Sequence, residues 1–213
     1  MTGRPERSPP RRSESDEQAM CAVQLRGDHA AFAQLVCRWE APIRRLCTRM
    51  TCDEHRGEDL TQEVFARVFT KRDQFDPERT FSTWLWRIAL NVCFAEARRA
   101  APLAIADEEA TTAARCDREP APDERLIAQE RTRQVKQALS HLSDAYRAVV
   151  VLREYEGMKY REIAEVLEIP EGTVKWRMAE ALTQLSEELA PLASEPSDRR
   201  AAISPPRLAR EIQ

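Results

Sequence analysis

The sequence predicts an all-α protein made of two small helical domains joined by a flexible linker. Apolar residues recur at three- and four-residue spacing in two stretches, residues 15–100 and 123–190, as they do along one face of a helix. The chain has only 5 Gly among its 213 residues and lacks runs of alternating Val, Ile and Thr, which argues against a sheet. Between the stretches, residues 101–122 lose this periodicity and are rich in Ala, Pro, Asp and Glu, a composition typical of linkers.

Composition and charge limit the classes of function. Residues 1–14 and 191–213 are rich in Pro and Arg and are predicted to be a disordered arm and tail. The formal net charge of -3 means that the chain as a whole is not a cationic DNA clamp, so any DNA contact must come from local patches or from a larger complex. No apolar run approaches the roughly 20 residues of a membrane span, and the start lacks the apolar core of a signal peptide. We therefore expect a cytoplasmic protein whose 6 Cys are free thiols.

Four helices are predicted in the first domain. The first runs from Asp16 to Arg26, and Asp28 can cap the second with its carboxylate. Pro42 lies inside the second helix and predicts a kink or a break there. The third helix has a strongly acidic start at residues 54–63, and the fourth runs from Phe81 to the basic pair at residues 98–99.

The second domain contains a helix that Ser143 can cap, followed by a predicted helix-turn-helix. A short helix over residues 160–167 is followed by a turn over residues 168–172 and by a longer helix that Thr173 is expected to cap. The start of that longer helix would present four side chains to a major groove: Thr173, Lys175, Trp176 and Arg177. The alternative is a helical hairpin packed within an ordinary bundle.

A second candidate for nucleic-acid contact is the segment over residues 75–91, which combines aromatic side chains with two arginines and an asparagine. Aromatic faces and cations together can hold unstacked bases. Phe81, Trp84 and Ile88 are better explained as core, whereas Phe75 in the loop and Trp86 off the core stripe are expected to be exposed. The candidate contacts of this segment are Phe75, Arg79, Trp84, Trp86, Arg87, Ile88 and Asn91.

Catalytic and metal chemistry have little support in the sequence. There is no Gly-rich phosphate loop, nucleophile elbow or paired-carboxylate site, so we expect neither enzymatic activity nor a cofactor. Cys47, Cys52 and His55 offer zinc-type ligands, but their spacing is irregular and no second pair follows. The acidic cluster over residues 53–63 is either a solvated face or a docking site for a basic partner.

Both stretches, in this order, resemble the extracytoplasmic-function (ECF) sigma factors, the compact members of the sigma-70 family. Residues 58–65 (EDLTQEVF) are similar to the family's region 2.2, and residues 75–79 (FDPER) with 81–91 (FSTWLWRIALN) are similar to regions 2.3 and 2.4. Residues 142–147, 152–157 and 160–175 are similar to region 4. The resemblance covers about residues 16–100 and 123–189.

The resemblance implies a promoter-specificity subunit of bacterial RNA polymerase that helps to open DNA. Its implied partners are core polymerase (the beta-prime coiled coil and the beta flap), promoter DNA and an anti-sigma protein. Phe75, Ile88 and Asn91 would form a pocket for a flipped base of the minus-ten element, with Trp84 as support, and Thr173, Lys175 and Arg177 would face the minus-thirty-five element. The implied polymerase contacts are Glu58, Asp59, Gln62 and Glu63.

The chain departs from the family pattern in region 4. The family usually has Gly at the position of Glu168, commonly has Ser at that of Trp176, and has basic residues at those of Glu180 and Leu182. Residues 158–189 contain four basic and seven acidic residues, which predicts a weak grip on phosphates. Three explanations remain open: promoter contact through the first domain, an apolar contact by Trp176, or a protein partner for region 4. Two rival functions are also open, a helix-turn-helix regulator that binds DNA without polymerase and a sigma-like adaptor that no longer reads promoters.

Overall fold

A computed structural model describes residues 12–104 and 124–193, and every regular element in these two ranges is a helix. The predicted all-α class is therefore confirmed. The first domain contains α1 (Arg12–Arg26), α2 (His29–Thr51), α3 (Glu54–Thr70), a short 3₁₀ turn (Arg72–Gln74) and α4 (Phe81–Ala104). The second contains α5 (Glu124–His141), α6 (Asp144–Val150), a π-helical segment (Val151–Tyr155), α7 (Tyr160–Leu167) and α8 (Glu171–Ala193). Most of the predicted arm, linker and tail lies outside the described residues.

The junction between α1 and α2 forms as its sequence predicts. Gly27 has a φ of 61°, a left-handed conformation that glycine adopts without strain. The Asp28 carboxylate then accepts hydrogen bonds from the amides of Ala30 (2.9 Å) and Ala31 (3.0 Å), so that two unpaired donors of the first turn are satisfied.

The sequence predicted a kink or a break at Pro42, and the break does not occur. α2 is continuous through this residue. Pro42 removes one backbone hydrogen bond, but the flanking side chains Leu35, Ile43 and Leu46 are at most 1% exposed. Tertiary packing of the apolar stripe on both sides of the proline keeps the helix intact.

Helix α4 forms the centre of the first domain. α1, α2 and α3 all pack against it, and it is buried on more than one side, with Phe81, Leu85 and Ala89 fully buried. The helix continues to Ala104, beyond the predicted end at the basic pair of residues 98–99. A helix enclosed in this way is apolar around most of its circumference, so a single stripe does not describe it.

Arg147 closes the turn between α5 and α6 in the second domain. The Arg147 guanidinium donates to the carbonyls of Leu139 (2.7 Å), Ser140 (2.9 Å) and Leu142 (2.8 Å), which closes the carboxyl end of α5. Ser143 caps α6 as predicted, since its hydroxyl accepts from the amide of Tyr146 at 3.4 Å. Within the described ranges, no helix has the length and apolar character needed to cross a membrane.

Candidate nucleic-acid interface

The loop between the 3₁₀ turn and α4 is held in place by α1. The Gln24 side-chain amide donates to the carbonyl of Phe75 at 3.0 Å, and the Glu17 carboxylate accepts from the amide of Phe81 at 2.8 Å, at the start of α4. Within the loop, the Asp76 carboxylate accepts from the amide of Glu78 at 3.0 Å. These contacts fix the loop over the first turn of α4.

The expected exposure of Phe75 and Trp86 is wrong. Phe75 is 3% exposed, and its ring centroid lies 5.9 Å from that of Phe81 and 5.3 Å from that of Trp84. Trp86 is 5% exposed and meets Trp39 edge-on at 5.9 Å. The Phe75 ring points inward because removing a large apolar ring from water lowers the free energy of the folded protein. Trp86 is buried because α2 covers the side of α4 that the sequence pattern had left open.

One side of α4, which we call the α4 face, carries Trp84, Arg87, Ile88 and Asn91 at helical spacing. Trp84 and Arg87 are half-buried, Ile88 is 7% exposed and Asn91 is exposed. Below the loop this face borders an open cavity of about 550 Å³, whose walls include Phe75, Arg79, Trp84, Arg87 and Glu165. The cavity therefore combines an aromatic wall and two guanidinium groups with three carboxylates, since Asp76 and Glu78 also line it.

The helix-turn-helix has the predicted first helix, but its turn differs from the prediction. The second helix begins at Glu171, and the amides of Thr173 (2.9 Å) and Val174 (3.2 Å) bond to the carbonyl of Pro170. Thr173 therefore lies inside the first turn and is not the cap, because Pro170 already supplies the acceptor. Glu168 ends α7 with a φ of 55°, a left-handed conformation that is strained for a residue with a side chain.

The side chains proposed for the minus-thirty-five element differ in accessibility. Lys175 is exposed, but its ammonium lies 2.8 Å from the Glu171 carboxylate one turn earlier. Trp176 is 58% exposed and contacts the ring of Tyr146 edge-on at 5.9 Å. Thr173 and Arg177 are half-buried. This helix thus presents an aromatic ring beside a cation that an acidic neighbour already neutralises.

The acidic cluster on α3 is largely accessible. Glu58, Asp59 and Gln62 are exposed on one side of the helix, whereas Glu63 is half-buried and pairs with Arg67. No group of three or more His, Cys, Asp or Glu residues capable of holding a metal ion occurs within residues 12–104 and 124–193. The Cys47 thiol accepts a hydrogen bond from that of Cys93 at 3.8 Å, in the core between α2 and α4.

Both domains match families of known proteins. Residues 35–102 match the family described as sigma-70 region 2, and residues 132–185 match the family described as sigma-70, region 4. The chain is 34% identical over 174 residues to the ECF RNA polymerase sigma factor SigW of Bacillus subtilis, an alignment that covers 78% of this chain and 93% of that protein. This chain belongs to the ECF sigma factors. The sigma factor is also 33% identical over 190 residues to the RNA polymerase sigma-H factor of Pseudomonas aeruginosa, covering 85% and 97% of the two chains.

A solved structure shares the arrangement of this sigma factor. CnrH in complex with the cytosolic domain of CnrY superposes with a TM-score of 0.63 at 26% identity, covering 83% of this chain and 98% of that one. The sigma factor RpoE of Bartonella quintana, solved with the anti-sigma factor NepR, shares the fold with a TM-score of 0.58 at 24% identity. The two helical domains are therefore region 2 and region 4 of a sigma factor, and its function is that of an alternative sigma factor in transcription initiation.

Regions 2 and 4 of this sigma factor contact each other directly. The Arg87 guanidinium lies 2.9 Å from the Glu168 carboxylate and donates to the carbonyl of Glu165 at 2.8 Å. The Glu156 carboxylate lies 3.9 Å from the guanidinium of Arg45 and 3.7 Å from that of Arg49. We call this set of contacts the clasp; its members are Arg45, Arg49, Arg87, Glu156, Glu165 and Glu168.

Sequence reasoning missed the clasp. The signal that could have indicated it is Glu168, a charged residue where the left-handed backbone favours glycine. From the sequence alone, the departures in region 4, Glu168 among them, predicted only a weaker contact with DNA. The partner, Arg87, lies 81 positions away in the sequence and has no local pattern that connects it to the turn.

Proposed function

We propose that this sigma factor reads the minus-ten element of its promoters through the α4 face and the cavity below the loop. The observation that carries the proposal is the cavity itself, because it brings Trp84, Arg79 and Arg87 together at a volume of about 550 Å³, with the exposed Asn91 farther along α4. The protein acts by binding and not as an enzyme, in the bacterial cytoplasm and on the nucleoid during initiation.

The side chains of region 2 divide into two roles in this proposal. Asn91 carries an amide that can donate to and accept from a base edge, and Arg79 and Arg87 can bind phosphates. Phe75, Trp86 and Ile88 act from within the core, where they set the position of the loop and of α4. Trp84, packed on Phe75 and lining the cavity, offers the surface against which an extruded base rests.

The energetics require polymerase as a partner. Separating DNA costs about 1.4 kcal/mol per stacked step, whereas stacking a base on an aromatic ring returns about 1–3 kcal/mol. One or two captured bases therefore offset only one or two steps. Core polymerase must hold the rest of the open region, which is consistent with a chain whose net charge is -3.

We propose that Glu58, Asp59, Gln62 and Glu63 dock this sigma factor on the coiled coil of the beta-prime subunit, and that region 4 meets the beta flap. Exposed carboxylates on one side of α3 suit a basic surface and speed association with it. Thr173, Lys175, Trp176 and Arg177 approach the minus-thirty-five element, with Lys175 weakened by Glu171.

An anti-sigma protein is a further proposed partner. The support is that CnrH, which shares the fold at 26% identity, was solved in complex with the cytosolic domain of CnrY. The test is co-purification of this chain with a protein that inhibits its transcription in vitro.

The replacement Asn91→Ala tests the minus-ten assignment. We expect transcription in vitro to lose about tenfold or more of its discrimination at one minus-ten base pair, because a good amide–base contact is worth about 1–3 kcal/mol. Binding to core polymerase should be unchanged. The measurement compares transcripts from promoters substituted at each minus-ten position.

Gln62→Ala is the matched control, since it removes an exposed amide from the proposed docking surface on α3. It should weaken core binding and leave base preference unchanged. If Asn91→Ala weakens core binding and retains full base preference, the minus-ten assignment is wrong.

A further inference from the structure

Arg87 contacts region 4 through both terminal nitrogens of its guanidinium group. One terminal nitrogen lies 2.9 Å from the Glu168 carboxylate, and the other donates to the carbonyl of Glu165 at 2.8 Å. The third nitrogen, Nε, is buried and has no hydrogen-bond partner. Region 4 thus contacts both terminal nitrogens and leaves the Arg87 side chain only 25% exposed, which restricts its access to a phosphate or a base while α7 stays in place.

The same contacts change the charge of the cavity. Glu165 of region 4 forms part of its wall, opposite Arg79 and Trp84 of region 2. An acidic wall repels the phosphates of an incoming strand, and the ion pair with Glu168 neutralises Arg87. Asp76 and Glu78 of the loop also line the cavity and remain there if region 4 moves, so release of region 4 would remove the Glu165 wall and free Arg87 from its ion pair.

Glu168 contributes to this arrangement at the cost of backbone strain. Its φ of 55° places a residue with a side chain in the left-handed region, where glycine fits without strain. The carboxylate that a glycine would lack is the one that pairs with Arg87. Glu168 therefore has a strained backbone and makes an ion pair between the two regions.

A second set of clasp contacts lies on α2, apart from the α4 face. Glu156 lies between Arg45 and Arg49, and the Arg49 guanidinium stacks 4.1 Å from the centre of the Tyr155 ring. Arg147 also donates to the carbonyl of Met50, at the end of α2, at 2.6 Å. Region 4 is thus fastened to region 2 at several points.

The clasp contains buried polar atoms without hydrogen-bond partners, which lowers the free energy needed to open it. Arg49 Nη1, Glu156 Oε1 and Arg87 Nε are buried without hydrogen-bond partners. Unsatisfied buried polar atoms lower the net free energy of an interface, because the groups lose water and gain no full replacement.

We propose that the clasp is an autoinhibitory contact: in the free protein region 4 covers the α4 face, and it must move away before the minus-ten strand can bind. The inference rests on the proposed role of the α4 face in reading the minus-ten element. When the clasped form dominates, the apparent affinity for DNA falls by the fraction of open molecules. A change in the opening equilibrium then appears as an equal change in affinity.

The variant Glu168→Gly tests this inference. It removes the carboxylate that pairs with Arg87 and also relieves the backbone strain, so region 4 itself should fold at least as well. We expect affinity for a fluorescein-labelled single strand carrying a minus-ten sequence to rise about two- to fivefold, the range for a partly exposed ion pair. Small-angle X-ray scattering should show a larger radius of gyration.

Glu165→Ala is the matched control. It removes the same charge from the same surface, but the Glu165 side chain pairs with Arg161 and only its carbonyl meets Arg87. We expect no change in scattering, and a smaller gain in DNA affinity than Glu168→Gly gives, because only the charge of the cavity wall is lost. If the control and Glu168→Gly raise affinity equally, the effect is one of net charge and the inference is overturned.

A second pair of variants acts away from the α4 face. Glu156→Arg places a third cation beside Arg45 and Arg49 and should open the clasp, whereas Glu154→Arg makes the same charge change at an exposed neighbour. Glu156→Arg should raise DNA affinity more than Glu154→Arg. Opening without a gain in affinity over that control overturns the inference, as does a failure of both Glu168→Gly and Glu156→Arg to open the molecule.

Failure of the proposed function gives a different result. The scattering of these variants still changes, but transcription with core polymerase shows no minus-ten preference.

Discussion

Gly57 shows how a single residue sets the spacing of two helices in region 2. A Cβ atom added at this position would lie 2.4 Å from the Thr48 hydroxyl and 2.7 Å from the Thr48 Cα. Because the second of these atoms belongs to the backbone of α2, a side-chain rotation cannot relieve the overlap. The close packing of α2 on α3 therefore requires glycine here.

The replacement Gly57→Ala should destabilise the protein by about 1–3 kcal/mol, the usual cost of overpacking a core. This exceeds the gain of about 1 kcal/mol in helix propensity. Urea unfolding followed by circular dichroism measures the change. Gly172→Ala is the control, since a Cβ there meets nothing within 4 Å; equal stability of the two variants would contradict the packing argument.

At the residue scale, the sequence predicts helix-capping residues better than it predicts which side chains are buried. The helix caps at Asp28 and Ser143 depend only on neighbouring residues, and both are confirmed. The burial of Phe75 and Trp86 does not, because it depends on α1 and α2, which reach these side chains from elsewhere in the chain. A loop aromatic looks exposed until the elements that cover it are known.

At the scale of elements, Glu156 directly follows the π-helical segment, and the burial of its carboxylate costs free energy. Burial raises the pKa of Glu156 above its ordinary value, and the nearby Arg45 and Arg49 lower it by less. Removal of the carboxylate from water thus outweighs the attraction of two arginines at 3.7 Å and 3.9 Å. The ionised form of Glu156 therefore reduces stability, although it sits in ion pairs.

The raised pKa of Glu156 determines how the stability of the protein changes with pH. A carboxyl whose pKa is raised in the folded state binds its proton more tightly there, so its contribution is fully present below the ordinary pKa and is lost as pH rises through the raised value. Glu156→Gln keeps the shape and removes the titration. We expect its stability relative to the wild type to increase between about pH 4 and pH 7, measured by urea unfolding. A constant difference across this range would contradict it.

Helix boundaries were predictable where the signal is local. The first helix of the helix-turn-helix, Tyr160–Leu167, has the predicted limits because its start and its left-handed end are marked by neighbouring residues. α2 and α4 differ from prediction because tertiary packing carries the first through Pro42 and the second runs on to Ala104. Propensity rules describe an isolated helix, and neither of these is isolated.

At the scale of the whole molecule, the relation between the regions could not be predicted. The division into two helical domains follows from the loss of periodicity over residues 101–122, and the matches at residues 35–102 and 132–185 agree with it. The clasp joins residues such as Arg87 and Glu168 that share no sequence pattern. Ion pairs of this kind arise only once both regions are folded.

Transcription in vitro from a genomic fragment library, with purified core polymerase, tests the role of this chain most directly. Mapping of RNA 5′ ends should show discrete start sites that appear only when the protein is added and that share one minus-ten sequence. Asn91→Ala should blur that sequence, and Glu168→Gly should leave it unchanged. An absence of protein-dependent start sites, with core polymerase active on a control promoter, would contradict the proposal that this chain directs polymerase to promoters.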